Sequence, residues 1–482
     1  MTFLSFYFYV CLIVLVLLYY LLPLKSRWGI LLIGSLAFYW QITQHSVKSM
    51  LILFSAALVS WIYGRLMEKD KCRRKLWLSI TLIFTIILLF VMTEGEFIVT
   101  MIARKSMPLW WIVPIGISFY SLQLIAYSVD VYKKVIPAEK NFFHFLLFVS
   151  FFPQIIQGPI PRYKQLAGQL VEGHRFDENE FVKGFMLILW GFFLKLCIAD
   201  KAAVVVNTIF DNYPRYLGVY VLIGGILYSF QLYADFLACT SLAQGISALF
   251  GIYLIDNFNH PYFSKSISEF WRRWHISLSS WLRDYIYIPL GGNRKGRLRK
   301  YFNILVTFGI SGLWHGGGYK FLFWGLLHGV YLIISDLLSP VKNKAEMLFR
   351  FDRYPKVKNI INTFITFILV MFGWIIFRSY KLTTGLSMIR SIFTVHNPWI
   401  LTNDALFDLG LVWKEWFVLL FCLFVLFFVS RKQEKGIEIR NRILEYNIVL
   451  RWCIYIGAIL FILVFGTYGY GYDAQAFIYG GF

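Results

Sequence analysis

Apolar runs succeed one another along almost the whole chain, separated by short loops that carry much of the charge. The pattern predicts helical segments at 3–22, 28–43, 48–66, 76–93, 110–130, 142–157, 181–200, 216–236, 239–255, 302–316, 320–338, 359–377, 412–430 and 449–469. About 20 apolar residues in a helix cross a hydrocarbon core about 30 Å thick. The longer runs therefore read as membrane spans, while several of the shorter ones cannot cross unaided. The first run, Phe3 to Leu22, lacks a basic leader and a small-residue cleavage pattern, so it reads as a retained span rather than a signal peptide. With no internal repeat and no low-complexity linker, the expectation is one all-α transmembrane domain over 1–482, its core at about 110–340. A polar segment at 392–411, with Asn397-Pro398, Asn403 and Asp404, reads as an extracytoplasmic excursion.

One region breaks the pattern. Residues 256–300 include "DNFNHPYFSKSISEFWRRWHISLSSWLRDYIYIPLGGNRKG", which is too charged to span and too aromatic for an ordinary loop. Trp271, Trp274, Leu278, Trp281 and Tyr285 recur at helical spacing, with Arg272, Arg273, Ser279 and Arg283 largely on the other side. That predicts a single interfacial helix that lies along the headgroup boundary or dips into the protein, broken by Pro289 and the Gly291-Gly292 pair.

Composition supports the membrane reading. The chain is 59% hydrophobic, 20% aromatic and only 15% charged, far more apolar than a soluble domain requires. A formal net charge of +21 would suggest nucleic acid in a soluble protein. Here Lys and Arg cluster in short loops, at Lys25 and Arg27, at Lys69 to Lys75, at Lys133 and Lys134, at Arg294 to Lys300, at Lys342 to Lys358 and at Arg431 to Arg442. This is the positive-inside pattern; it removes the nucleic-acid reading and puts these loops in the cytoplasm, with the N-terminus outside. The six cysteines show no C-x-x-C pair, so neither a disulfide framework nor a zinc site is expected.

The stretch "LWHGGGYKFLFWGLLHG", residues 313–329, carries the candidate chemistry. Gly316-Gly317-Gly318 permits a turn, so one helix rises to it from the cytoplasm and the next descends. At 1.5 Å per residue His328 then lies roughly 12 Å below the turn, near mid-membrane, with His315 at the turn. Ionisable groups at that depth are costly and usually face a protein-lined cavity, although a buried histidine also serves simply as a satisfied core residue. Trp324 and His328 form an i, i+4 pair, and Gly325 and Gly329 form a G-x-x-x-G packing strip. Neutral imidazole can take a proton from a hydroxyl and return it to a leaving group, which is what acyl transfer requires. The spacing of His275, His315 and His328 matches no compact metal-ligand motif, and no metal is expected. Arg272, Arg273 and Arg283 read equally as headgroup anchors or as a grip on the phosphates of an incoming coenzyme. A Ser nucleophile elbow and a Gly-rich nucleotide loop are both lacking.

Five segments carry a resemblance: "PIGISFYSLQLIAYSVDVYK" (114–133), "FFPQIIQGPIPRYKQ" (151–165), the 256–296 block, "SGLWHGGGYKFLFWGLLHG" (311–329) and "MFGWIIFRS" (371–379). They resemble the membrane-bound O-acyltransferase (MBOAT) family, in particular its alginate O-acetyltransferase branch. The resemblance implies a helical membrane bundle with a central funnel or tunnel and re-entrant or interfacial helices. It implies an essential histidine in W-G-x-x-H-G, which is His328, a second signature position at His275, and a helper at His315. Trp271, Arg272, Arg273, Trp274, Arg283, Asp284 and Trp324 are the expected donor-binding or tunnel-lining residues. No cofactor is implied; acetyl-CoA is the expected donor substrate. The implied setting is a bacterial plasma membrane, with membrane lipids, a polysaccharide acceptor and an extracytoplasmic serine-hydrolase-like acyltransferase as partners. Cousins that transfer D-alanine to teichoic acids make that cargo the alternative, and a non-enzymatic export component is the reading from another class. The chain departs from the family pattern at "QLYADFLACTSLAQG" (231–245) and at the C-terminal "FIYGGF".

Overall fold

A computed structural model describes residues 3–103, 113–348, 353–468 and 477. Every regular element among the described residues is helical, and eight helices are long and apolar enough to cross a membrane. The chain is therefore an all-α polytopic membrane protein. A bilayer core offers no water to satisfy peptide groups, so a spanning chain of this composition must close its hydrogen bonds within helices.

Two compact units are present. The first comprises Met1–Gly191, Cys239–Ile255 and Ala476–Phe482; the second comprises Phe192–Ala238 and Asp256–Gln475. Within the first, the turns after Ser150 hold the centre. Helix Phe142–Ser150 has only nine residues, so the span expected at 142–157 is not one helix. Pro153 explains the stop, because the residue before a proline is pushed out of the helical region; the Gln154 side-chain amide then donates to the Phe148 carbonyl at 2.9 Å. In the same unit the helix expected at 110–130 begins only at Ile117, after Pro114 and a left-handed Gly116 at φ 80°. Its first positions, 110–112, lie outside the described residues.

The segments expected as separate spans at 216–236 and 239–255 are also different. Val219–Ala248 is one continuous 30-residue helix, because nothing at Leu237-Ala238 stops helix propagation.

The second unit holds all the candidate site residues. Its backbone around 256–300 corrects the single interfacial helix: there are two short helices, Ile267–Arg273 and Ile276–Leu282, followed by a π-helical turn at Arg283–Tyr287. The first is capped by Ser266, whose hydroxyl accepts from the Glu269 amide at 3.1 Å, while the Glu269 carboxylate accepts from the Lys265 amide at 2.9 Å. The break lies at His275, in the left-handed region at φ 44°. A non-glycine residue there costs about 1–3 kcal/mol and must be held by its surroundings. Asn257 supplies part of that hold: its carbonyl accepts from the Ile276 amide at 2.9 Å and its side chain from the Ser277 amide at 3.1 Å. After Tyr287 the chain turns through Gly291 and Gly292, both at positive φ, as the sequence predicts.

Helices Arg297–Trp314 and Tyr319–Leu337 are joined by the Gly316–Gly318 turn and pack face to face. A Cβ on Gly325 would lie 2.2 Å from the Phe308 carbonyl oxygen, and one on Gly312 would lie 2.3 Å from that of Phe321. Small residues let backbones approach where lipid offers no hydrophobic drive for association. His328 is the tenth of nineteen residues in its helix.

An ionic cluster ties other helices of this unit together. Lys195, on a π-helical stretch, lies 2.9 Å from Asp200 and 2.8 Å from Asp235, all three nearly inaccessible. One extra residue per turn rotates the following side chains.

Candidate active site

His328 is fully buried inside a cage of aromatic rings. Trp271 stands perpendicular to it at 5.0 Å, Trp324 lies at 5.2 Å, Tyr331 at 5.7 Å and Trp374 at 6.2 Å. The fifth wall is backbone. A Cβ on Gly373 of helix Pro355–Arg378 would lie 2.7 Å from His328 Nε2 and 3.6 Å from Trp324 Nε1. The ring therefore meets bare backbone, and neither imidazole nitrogen is engaged by a hydrogen bond among the described residues. A buried polar group without a protein partner is costly.

The other two histidines form a separate pair. His315 caps the end of its helix at the glycine turn and packs against Trp314 at 4.9 Å, Trp324 at 5.2 Å and Phe377 at 5.6 Å. His275 packs against Phe236 at 4.7 Å and Trp314 at 6.2 Å, close enough to His315 for the two to interact electrostatically. Trp324 thus touches both His315 and His328.

A cavity of about 260 Å³ approaches this cage. Leu278, Leu282, Ile304, Phe308 and Leu332 form much of its apolar lining; Arg272 and Arg283 are its exposed cationic edge. Trp271, Ser279, Thr307 and Ser311 also line it, whereas His328 does not. Of the cage, only Trp271 is shared.

The expected donor-side residues divide accordingly. Trp271, Arg272 and Arg283 line the cavity. Arg273 does not: it makes a two-pronged ion pair with Glu434 at 2.6 and 3.0 Å and a further one with Glu269 at 2.8 Å. Hydrogen bonding to Glu434 is the first cause that raises its pKa. Asp284 pairs with the neighbouring Arg283 at 2.8 Å on the exposed side. Trp274 is buried against Trp374 at 5.0 Å and stacked on Phe270 at 5.5 Å, in the core rather than the cavity. Among the described residues, no cluster of three or more His, Cys, Asp or Glu is arranged to hold a metal.

Trp271 belongs both to the arginine-edged cavity and to the ring cage around His328. Residues 32–378 match the sequence profile of MBOAT, the membrane-bound O-acyltransferase family. The chain belongs to this family. It is an acyltransferase. It is 36% identical over 403 residues to a probable alginate O-acetylase of Azotobacter vinelandii, covering 80% of this chain and 76% of that one. It is also 36% identical over 349 residues to the peptidoglycan O-acetyltransferase of Helicobacter pylori, covering 66% and 65%. A teichoic acid D-alanyltransferase of Bacillus subtilis is more distant, 29% identical over 276 residues, covering 55% and 68%.

Sequence reasoning passed over Gly373 and Trp374 as site residues, although both lie in the "MFGWIIFRS" segment that carries the family resemblance. It also missed Ser279, Thr307 and Ser311 as cavity residues. The helical spacing of 302–316 was the available signal, since 304, 307, 308 and 311 share one face.

Proposed function

We propose that this acyltransferase moves an acetyl group from a cytoplasmic thioester, acetyl-CoA, to hydroxyls of a cell-surface or secreted polysaccharide. The observation that carries the reading is the arginine-edged apolar cavity ending one tryptophan ring short of His328. Guanidinium groups at its edge suit the phosphates of a coenzyme, and the apolar interior suits a thin pantetheine arm and its thioester. His328 acts as the base: the acceptor oxygen attacks the thioester carbonyl, and imidazole takes the hydroxyl proton. The carbon–sulfur bond then breaks and the proton passes to the departing thiolate, leaving an ester and a thiol. In this reading His315 positions Trp324 beside that base, and His275 supports His315 through Trp314. Relatives named for acetylating alginate and peptidoglycan support the acetyl cargo and the polysaccharide acceptor. The loop Arg294 to Lys300 then faces the cytoplasm of a bacterial cell, the N-terminus lies outside, and an extracytoplasmic serine-hydrolase-like protein completes delivery.

The D-alanyl alternative keeps the same machinery and rests on the more distant teichoic acid relative. Purified protein supplied in parallel with acetyl-CoA and with a D-alanyl carrier-protein thioester separates them. Release of free CoA thiol is expected only from the first; turnover of the carrier thioester alone would replace the acetyl reading with the alanyl one.

A further inference from the structure

The cavity edged by Arg272 and Arg283 and the chamber that holds His328 share one wall, the indole of Trp271. Its ring plane lies at 88° to the imidazole, with centroids 5.0 Å apart. Other rings of the cage are fixed more firmly: Trp324 and Trp374 are among the least exposed large side chains of the molecule and stack on each other at 5.7 Å. Trp271 is only half-buried, on the last turn of a seven-residue helix. Its indole nitrogen, like those of Trp324 and Trp374, is buried and makes no hydrogen bond among the described residues. What holds the ring is packing, against Phe308 at 5.3 Å, Phe270 at 5.6 Å and Trp324 at 5.8 Å. Lower burial, on a short helix at the cavity wall, is what distinguishes this ring from Trp324 and Trp374.

The two chambers have different contents to keep apart. The cavity is apolar with a cationic edge, whereas the histidine chamber holds unengaged imidazole nitrogens that water would reach if the wall were removed. We propose that Trp271 is the specificity-determining gate between them. Its indole admits the two-carbon acyl end of a thioester to His328, refuses longer chains, and keeps water from the imidazole when no acyl group is present. This rests on the cavity being the donor pocket. Apolar pockets discriminate by about 10- to 200-fold per methylene, so one indole suffices to separate two carbons from six.

The test uses the full chain in lipid nanodiscs, as wild type, Trp271→Ala and Trp271→Phe. Diethyl pyrocarbonate labelling of His328, followed by peptide mass spectrometry, reports access to the imidazole without requiring turnover. Labelling is expected to be slow in wild type and in Trp271→Phe, and at least about tenfold faster in Trp271→Ala, with His275 and His315 unchanged. Equal labelling of His328 in all three proteins would overturn the gate. Should Trp271→Ala expose all three histidines through unfolding, Trp271→Leu, which removes the indole ring but leaves a shorter aliphatic side chain, is expected to speed labelling of His328 alone, and labelling there equal to wild type would overturn the gate. In parallel, the ratio of hexanoyl-CoA to acetyl-CoA cleavage should rise by about tenfold or more in the opened variant; an unchanged ratio contradicts the selectivity. Absence of thioester cleavage by wild type would instead remove the donor reading, while the labelling result would still decide the gate.

Discussion

The Nε2 edge of His328 rests on the backbone of Gly373, so closely that a methyl group on that glycine would come within 2.7 Å of the nitrogen. Two helices far apart in sequence therefore fix the position of one imidazole, and the residue that permits it is the smallest available. Gly373→Ala should push the ring out of place while leaving most of the helix packing intact. Overpacking of this kind typically costs about 1–3 kcal/mol. Because the displaced group is the base, kcat should fall by about 100-fold with a much smaller change in KM. Steady-state kinetics on acetyl-CoA, alongside a thermal melt, checks both expectations.

Arg272 and Arg283 stand at the cavity edge but differ in their commitments. Arg283 shares its charge with Asp284, and its side chain is 62% exposed. Among the described residues Arg272 donates to the Ser268 hydroxyl, at 3.0 Å, and makes no ion pair. Arg272→Gln should therefore raise KM for acetyl-CoA more than Arg283→Gln, by about tenfold against about threefold, with kcat little altered. Raising salt should narrow the difference between wild type and variant, because exposed charges are screened within about 8 Å at physiological ionic strength.

Lys195 holds two carboxylates from different helices, Asp200 and Asp235, and Asp235 adjoins Phe236, whose ring packs on His275. Removing one partner of a buried ion pair leaves an uncompensated charge and costs about 3–5 kcal/mol. Lys195→Met should lower the thermal midpoint markedly. Lys195→Met combined with Asp235→Leu should recover part of that loss, which a melting series on the two variants measures directly.

How far the sequence leads differs between elements. The membrane fold was legible because a bilayer leaves helices as the main option for such apolar runs. The Gly316–Gly318 turn and the close packing at Gly325 followed from glycine placement. Hydropathy, however, does not see where a backbone turns left-handed. His275 breaks the 271–285 helix in two, which sends Trp271 to the cavity and Trp274 to the core instead of keeping both on one face. The continuity of Val219–Ala248 was equally hidden, since loops are only inferred where a breaking residue or a charge appears. Arg273 shows the limit for charged residues: three arginines in one segment look interchangeable until Glu434, 161 positions away, takes one of them. Gly373 was out of reach because its importance lies in what faces it.

The central claim is that His328 is the base for acyl transfer, and His328→Ala tests it most directly. Loss of the imidazole leaves a small cavity among Trp271, Trp324 and Trp374, which the surrounding packing tolerates. The measurement is the rate of acceptor-dependent CoA release from acetyl-CoA by wild type and variant, purified and matched for thermal stability. Removing a general base costs about 100-fold or more, so the variant should fall to that level or below. A folded His328→Ala protein that releases CoA at the wild-type rate would contradict the assignment.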